Sequence, residues 1–225
     1  MATGTLRALS YDRESRPEEG TVAIDRLIYF SDAVFAIAMT LLVLAIPRPS
    51  PTDSVYTFLT KEDTGKFIAY FISFWVIAIY WLGHHRLFRF VRRYDQGLLF
   101  LNLVLLFFVA FLPYPSAILG DHNTSVAATN FYAISVAAAG AASTALAWYA
   151  TVYRRFTGDR LPPWASYYVY RGLIVPIVFL ASIPVAQVST AVAQDMWLIT
   201  FVPVILGPRV VKRLEAREAA RRRNG

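Results

Sequence analysis

The sequence predicts an all-α integral membrane protein with six transmembrane helices per subunit. Three observations point to it. Of 225 residues, 56% are hydrophobic and only 16% are charged, against about 25% charged in an ordinary soluble domain. The apolar residues fall in six continuous blocks, and Lys and Arg collect in alternate connectors. Mean hydropathy is +0.45. A span takes about 20 apolar residues, so this composition furnishes roughly six spans and leaves little for a separate soluble domain. Each block must be helical, because lipid offers backbone groups no water to bond. A β-barrel would show short alternating segments.

The first block is Arg26–Ile46, ended by Pro47-Arg48-Pro49. The second runs from about Lys66 to Leu82, with an arginine-bearing extension to Arg93. The third, Gly97–Leu119, is interrupted by Pro113 and Pro115, and the fourth is the Ala-rich Ser125–Tyr153. The fifth is about Tyr167–Val188, with Pro176 and Pro184, and the sixth about Gln194–Val211. Prolines inside spans read as kinks. The organisation expected is a cytoplasmic arm over residues 1–25, mobile around Arg13–Glu19, then a six-helix domain over 26–211 and a basic cytoplasmic tail over 212–225. The arm lacks the apolar core of a cleavable signal peptide.

Positive charge sets the orientation. Arg86, Arg89, Arg92 and Arg93 lie in the second connector and Arg154, Arg155 and Arg160 in the fourth, while the third and fifth connectors have no Lys or Arg. The N-terminal arm and the tail from Arg209 are also basic. Excess Lys and Arg marks the cytoplasmic side, so both termini are expected there, with the protein in a bacterial-type plasma membrane. The first connector is ambiguous, since Asp53, Glu62 and Asp63 accompany its cations. A net charge of +7 reads here as orientation and lipid contact, not as nucleic-acid binding.

Cysteine is absent, which excludes disulfides, thiolate nucleophiles and Cys-ligated metals. The chain has no Gly-x-Ser-x-Gly, His-Glu-x-x-His, phosphate loop or Gly-x-Gly-x-x-Gly, so no enzyme and no cofactor is expected. Adjacent His84 and His85 point about 100° apart on a helix and have no carboxylate pair beside them, which argues against a metal. A proton-sensing role for either stays open.

Polar residues inside lipid are costly and need a reason. In the first span Arg26, Ser31 and Asp32 cluster in the first third. Phe30, Val34, Ile37, Leu41 and Leu44 recur at helical spacing, and Thr40 sits beside that stripe. Asp32 lies about 140° from Ile37 around the helix and should point into the protein. The natural partners for its carboxylate are His84 or His85, Asn102 and Arg26. These polar groups form an expected network holding the first helix to the second and third. From pattern alone, the apolar stripe also fits ordinary packing or lipid contact. Thr40 alone also fits a hydroxyl bonded to its own helix one turn back.

Arg26-x-x-x-Phe30-Ser31-Asp32, followed by Ala-Val-Phe-Ala-Ile, resembles the signature of the bacterial and lysosomal transmembrane protein 175 potassium channels. Phe74-Trp75, Trp81-x-x-His84-His85-x-x-Phe88, Asn102 and Phe111-Leu112-Pro113-Tyr114-Pro115 extend the resemblance over the first three spans. It implies a homotetramer in membrane lipid, passing potassium ions along an axis lined by the first helix of each subunit, without a re-entrant filter loop. In those terms Ile37 is the narrowest point, Leu41 and Leu44 are further apolar layers, and Thr40 bears on potassium preference. One signature copy per chain requires several subunits, since one helix encloses no pore. A ring of Ile37 side chains would gate by dewetting. The alternatives are a small secondary cation transporter or weakly selective leak, and a membrane protein without transport.

Overall fold

The computed structural model describes residues 16–48, 64–153, 156 and 172–202, with backbone alone for 16–23. The described elements are helical, with no strand among them. Helix α1 (Arg16–Leu41) ends in a 3₁₀ turn, Leu42–Ala45. Then come α2 (Thr64–Phe88), α3 (Gln96–Phe111), α4 (Pro113–Asp121) and α5 (Val126–Trp148), the last continued by a π turn, Tyr149–Tyr153. Helices α6 (Ile174–Ala186) and α7 (Thr190–Met196, followed by a 3₁₀ turn Trp197–Phe201) complete the described chain.

Among the described residues, four stretches are long and apolar enough to cross a membrane: Ile24–Ala45, Thr64–Phe88, Gln96–Asp121 and Val126–Tyr153. The third unites α3 and α4, because Pro113 opens α4 at a position where its missing N–H is no loss. The bend expected at Pro113 is therefore a break of one residue, Leu112, whose N–H is shared between the carbonyls of Phe108 and Val109. The fifth expected span is represented by the shorter apolar Ile174–Ala186, and the sixth by its first residues to Val202. The rest of both, the basic tail, the acidic residues of the first connector, Arg154, Arg155 and Arg160 lie outside the described residues. One boundary differs from expectation: α1 begins at Arg16, so Arg16–Glu19 is helical rather than a mobile arm.

Contacts alternate as antiparallel neighbours require. Lys66, at the start of α2, pairs with Asp121, at the end of α4, at 3.4 Å. Gln194 Nε2 donates to the Asn123 carbonyl at 2.7 Å, bringing α7 to the same end. At the other end the Arg92 N–H donates to the Phe156 carbonyl at 3.0 Å, and the Tyr149 hydroxyl donates to Asp95 at 2.9 Å. The second and fourth connectors thus share one end of the bundle, and the third and fifth share the other. These are the groupings that the Lys and Arg distribution separates.

Helix α5 is the hub and packs against α3, α4 and most extensively α6. Its small residues Ala133, Ala137, Ala139 and Gly140 are buried and let backbones approach closely, the usual basis of helix packing where lipid is as apolar as leucine. A Cβ at Gly140 would stand 2.8 Å from Pro176 Cδ and 2.9 Å from the Tyr80 hydroxyl. Buried hydroxyls add direction. Ser73 Oγ donates to Ser116 at 2.7 Å and meets the Tyr132 hydroxyl at 2.8 Å, joining α2, α4 and α5. The Tyr80 hydroxyl donates to the Val136 carbonyl at 2.7 Å.

Candidate functional site

Helix α1 is two-faced. Leu27, Ser31, Phe35, Ala38 and Leu42 are buried at helical spacing against α2 and α3. The opposite face carries Phe30, Ile37, Leu41 and Leu44, and it is uncovered, with Ile37 58% and Leu44 74% exposed. Val34 leaves the expected stripe: it is half-buried and packs toward the core. Thr40 is exposed beside Ile37, and its hydroxyl donates to the Ile37 carbonyl at 2.9 Å. Its hydrogen is thereby committed to the helix. The oxygen lone pairs remain as acceptors.

The buried face holds a chain of hydrogen bonds whose directions fix one another. Ser31 Oγ donates to the Leu27 carbonyl at 2.8 Å. The hydroxyl is then an acceptor for Asn102 Nδ2 at 3.0 Å. With its amide nitrogen so engaged, Asn102 presents Oδ1 to His84 Nε2 at 2.8 Å, and His84 must donate from that nitrogen. Ser31, Asn102 and His84 are 0%, 0% and 1% exposed. His84 Nδ1 is buried with no hydrogen-bond partner. Phe35 lies 5.5 Å from the His84 ring and Phe88 4.4 Å from it, enclosing the imidazole between apolar rings. One polar residue from each of α1, α2 and α3 therefore meets at a single buried point. In lipid, helices gain little from apolar contact with each other, so polar bonds and close packing decide which faces meet.

Asp32 points into the protein, as its position around the helix requires, but its partner differs from the expected set. Its carboxylate accepts from Trp81 Nε1 at 2.8 Å. His84 is committed to Asn102, and Asn102 to Ser31. Arg26 and His85 are exposed and stand outside the network, with His85 stacked on Trp81 at 5.4 Å. Arg26 is six positions before Asp32, too far around the helix to share its face. Trp81 was the residue to find: it lies one turn before His84, and a span offers few other donors at that depth. The hydroxyl cluster of Ser73, Ser116 and Tyr132 also escapes a reading by sequence, since no local pattern links three separate helices.

A bundle of apolar helices of spanning length, with polar side chains bonded across helices inside it and basic connectors gathered at one end, defines a polytopic helical membrane protein. Over residues 26–113, which contain every residue of the α1 anchor, the chain matches the family of the endosomal/lysosomal potassium channel TMEM175. That stretch of the chain resembles the TMEM175 family. The chain is 39% identical over 132 residues to a potassium channel of Streptomyces collinus, covering 56% of this chain and 64% of that one. It is 32% identical over 101 residues to the endosomal/lysosomal proton channel TMEM175 of Rattus norvegicus, covering 44% of this chain and 20% of that one. The chain thus spans less than two thirds of the length of these curated relatives. Among solved structures, it resembles the lysosomal potassium-selective channel TMEM175 homolog from Chamaesiphon minutus with a TM-score of 0.69 and 25% identity, over 84% of this chain and 98% of that one.

Proposed function

We propose that the protein is a potassium-permeable channel of the plasma membrane, formed by a homotetramer with the first helix of each subunit on the four-fold axis. The observation that carries this reading is the uncovered apolar face of α1 opposite its polar anchor. A helix held firmly on one side and open on the other suits a pore wall, and the resemblance of residues 26–113 to a channel family favours that use over contact with lipid alone. Four Ile37 side chains form the narrowest ring, and Leu41 and Leu44 form wider apolar layers. Such a constriction controls passage by dewetting. Four Thr40 oxygens, whose hydrogens are engaged by Ile37 carbonyls, offer lone pairs to a partly dehydrated cation. Ser31, Asp32, His84, Asn102 and Trp81 hold the helix in place and carry no ions. Both termini face the cytoplasm.

Cation flux in liposomes containing the purified chain tests this. Potassium flux under a potassium gradient alone, raised in Ile37→Asn, is the expected result. Flux that demands a second, coupled ion would replace the channel with a transporter. Unchanged flux in Ile37→Asn would remove the constriction from α1.

A further inference from the structure

The basic end of the bundle contains a feature that ion passage does not use. The connector between α2 and α3 runs only from Arg89 to Asp95, so between two spanning helices it stays at the level of the lipid headgroups. It is pinned in place. Val91 is buried, the Arg92 N–H donates to the Phe156 carbonyl, and Asp95 caps α3 by accepting from the Leu98 N–H at 2.8 Å. Asp95 also accepts from the Tyr149 hydroxyl at 2.9 Å, so the one carboxylate of this connector is already engaged. Arg89, Arg92 and Arg93 nevertheless have exposed side chains. The adjoining end of α5 and its π turn present Trp148 and Tyr153, stacked at 5.6 Å and both exposed. Tyr149 links them to the connector through ring contacts with Tyr153 and Phe156 at 5.4 and 6.2 Å.

We propose that this junction binds the phosphate of an anionic phospholipid headgroup. Guanidinium groups recognise phosphate through paired hydrogen bonds. Stacked Trp and Tyr place their amphipathic rings at headgroup depth. A connector ordered by its own backbone bonds loses little further freedom on binding, which favours a site over diffuse attraction. At the opposite end, Lys66 at the start of α2 is paired with Asp121. The site is independent of conduction, and its test does not read flux.

The full chain would be reconstituted in vesicles of equal phosphatidylglycerol and phosphatidylcholine, extracted in mild detergent, and its retained lipids identified by native mass spectrometry. Selective retention of phosphatidylglycerol is expected. Arg92→Gln with Arg93→Gln should reduce it by about fivefold per arginine. Arg48→Gln, beyond the far end of α1, should not change it, and Arg92→Lys with Arg93→Lys should keep an intermediate share. If the double Gln variant fails to fold, Arg89→Gln alone should still give about a fivefold loss. Equal retention of both lipids, or retention untouched by these changes, would overturn the proposal. So would an equal loss in Arg48→Gln, which would indicate net charge alone. Displacement of the lipid by millimolar inorganic phosphate would assign the site to free phosphate.

Discussion

Asn102 is the residue on which the α1 anchor turns, because it both donates to Ser31 and accepts from His84. Asn102→Leu leaves His84 Nε2 as a buried donor without a partner. Such an orphan costs about 1–3 kcal/mol, and thermal unfolding in detergent should show a loss of that order. Trp81→Phe removes one bond to a half-buried carboxylate and keeps most of the ring. Intramembrane hydrogen bonds average about 0.6 kcal/mol in double-mutant cycles, so Trp81→Phe should be the milder change. Equal losses would mean that the Asp32–Trp81 bond ties α1 as strongly as Asn102 does. Ile37 is the contrast. It is exposed, so Ile37→Asn should leave unfolding within about 0.5 kcal/mol of the parent while altering flux. A large loss of stability would place Ile37 in a packed interface instead.

At the scale of the element, α5 and α6 meet through Gly140 and Pro176. Gly140→Ala sets a methyl group 2.8 Å from the Pro176 ring and 2.9 Å from the Tyr80 hydroxyl, which is itself bonded to Val136. Neither neighbour is the loose end of a flexible chain. Overpacking of this kind costs about 1–3 kcal/mol, readable as a lower unfolding temperature. An unchanged temperature would mean that α6 slides to accommodate the methyl. Helix α1 shows why its period is legible and its partner is not. Spacing alone separates Leu27, Ser31, Phe35, Ala38 and Leu42 from Phe30, Ile37, Leu41 and Leu44. It does not say which neighbour supplies a donor to Asp32, because that depends on the rotation of α2, where Trp81 and His84 lie one turn apart.

For the whole molecule, the absence of cysteine gives a clean background for testing assembly. If the first helices converge on an axis, Ile37→Cys should form disulfide-linked dimers between subunits on oxidation. Tyr114→Cys, exposed on α4 beside Phe131 of α5 and not on α1, should form far fewer. Gel mobility with and without reductant is the measurement. Equal crosslinking at both sites, or none at Ile37, would contradict convergence of α1. The gathering of the second and fourth connectors at one end of the bundle is a property of the same scale. It was readable from connector composition, because each crossing reverses direction and so sorts connectors into two sets.

By itself the sequence determined that this is a helical membrane protein, where four of its spans lie, which connectors share an end, and the resemblance to a channel family over residues 26–113. Composition and period suffice for these, because lipid admits few backbone solutions and a helix repeats its faces regularly. The tertiary structure decided which side chains complete one another. It gave Asp32 to Trp81, set Asn102 between Ser31 and His84, left Arg26 and His85 outside, and drew Arg92 to Phe156 across two connectors. Such pairings join residues distant along the chain through the relative rotation and depth of whole helices, which no local pattern encodes.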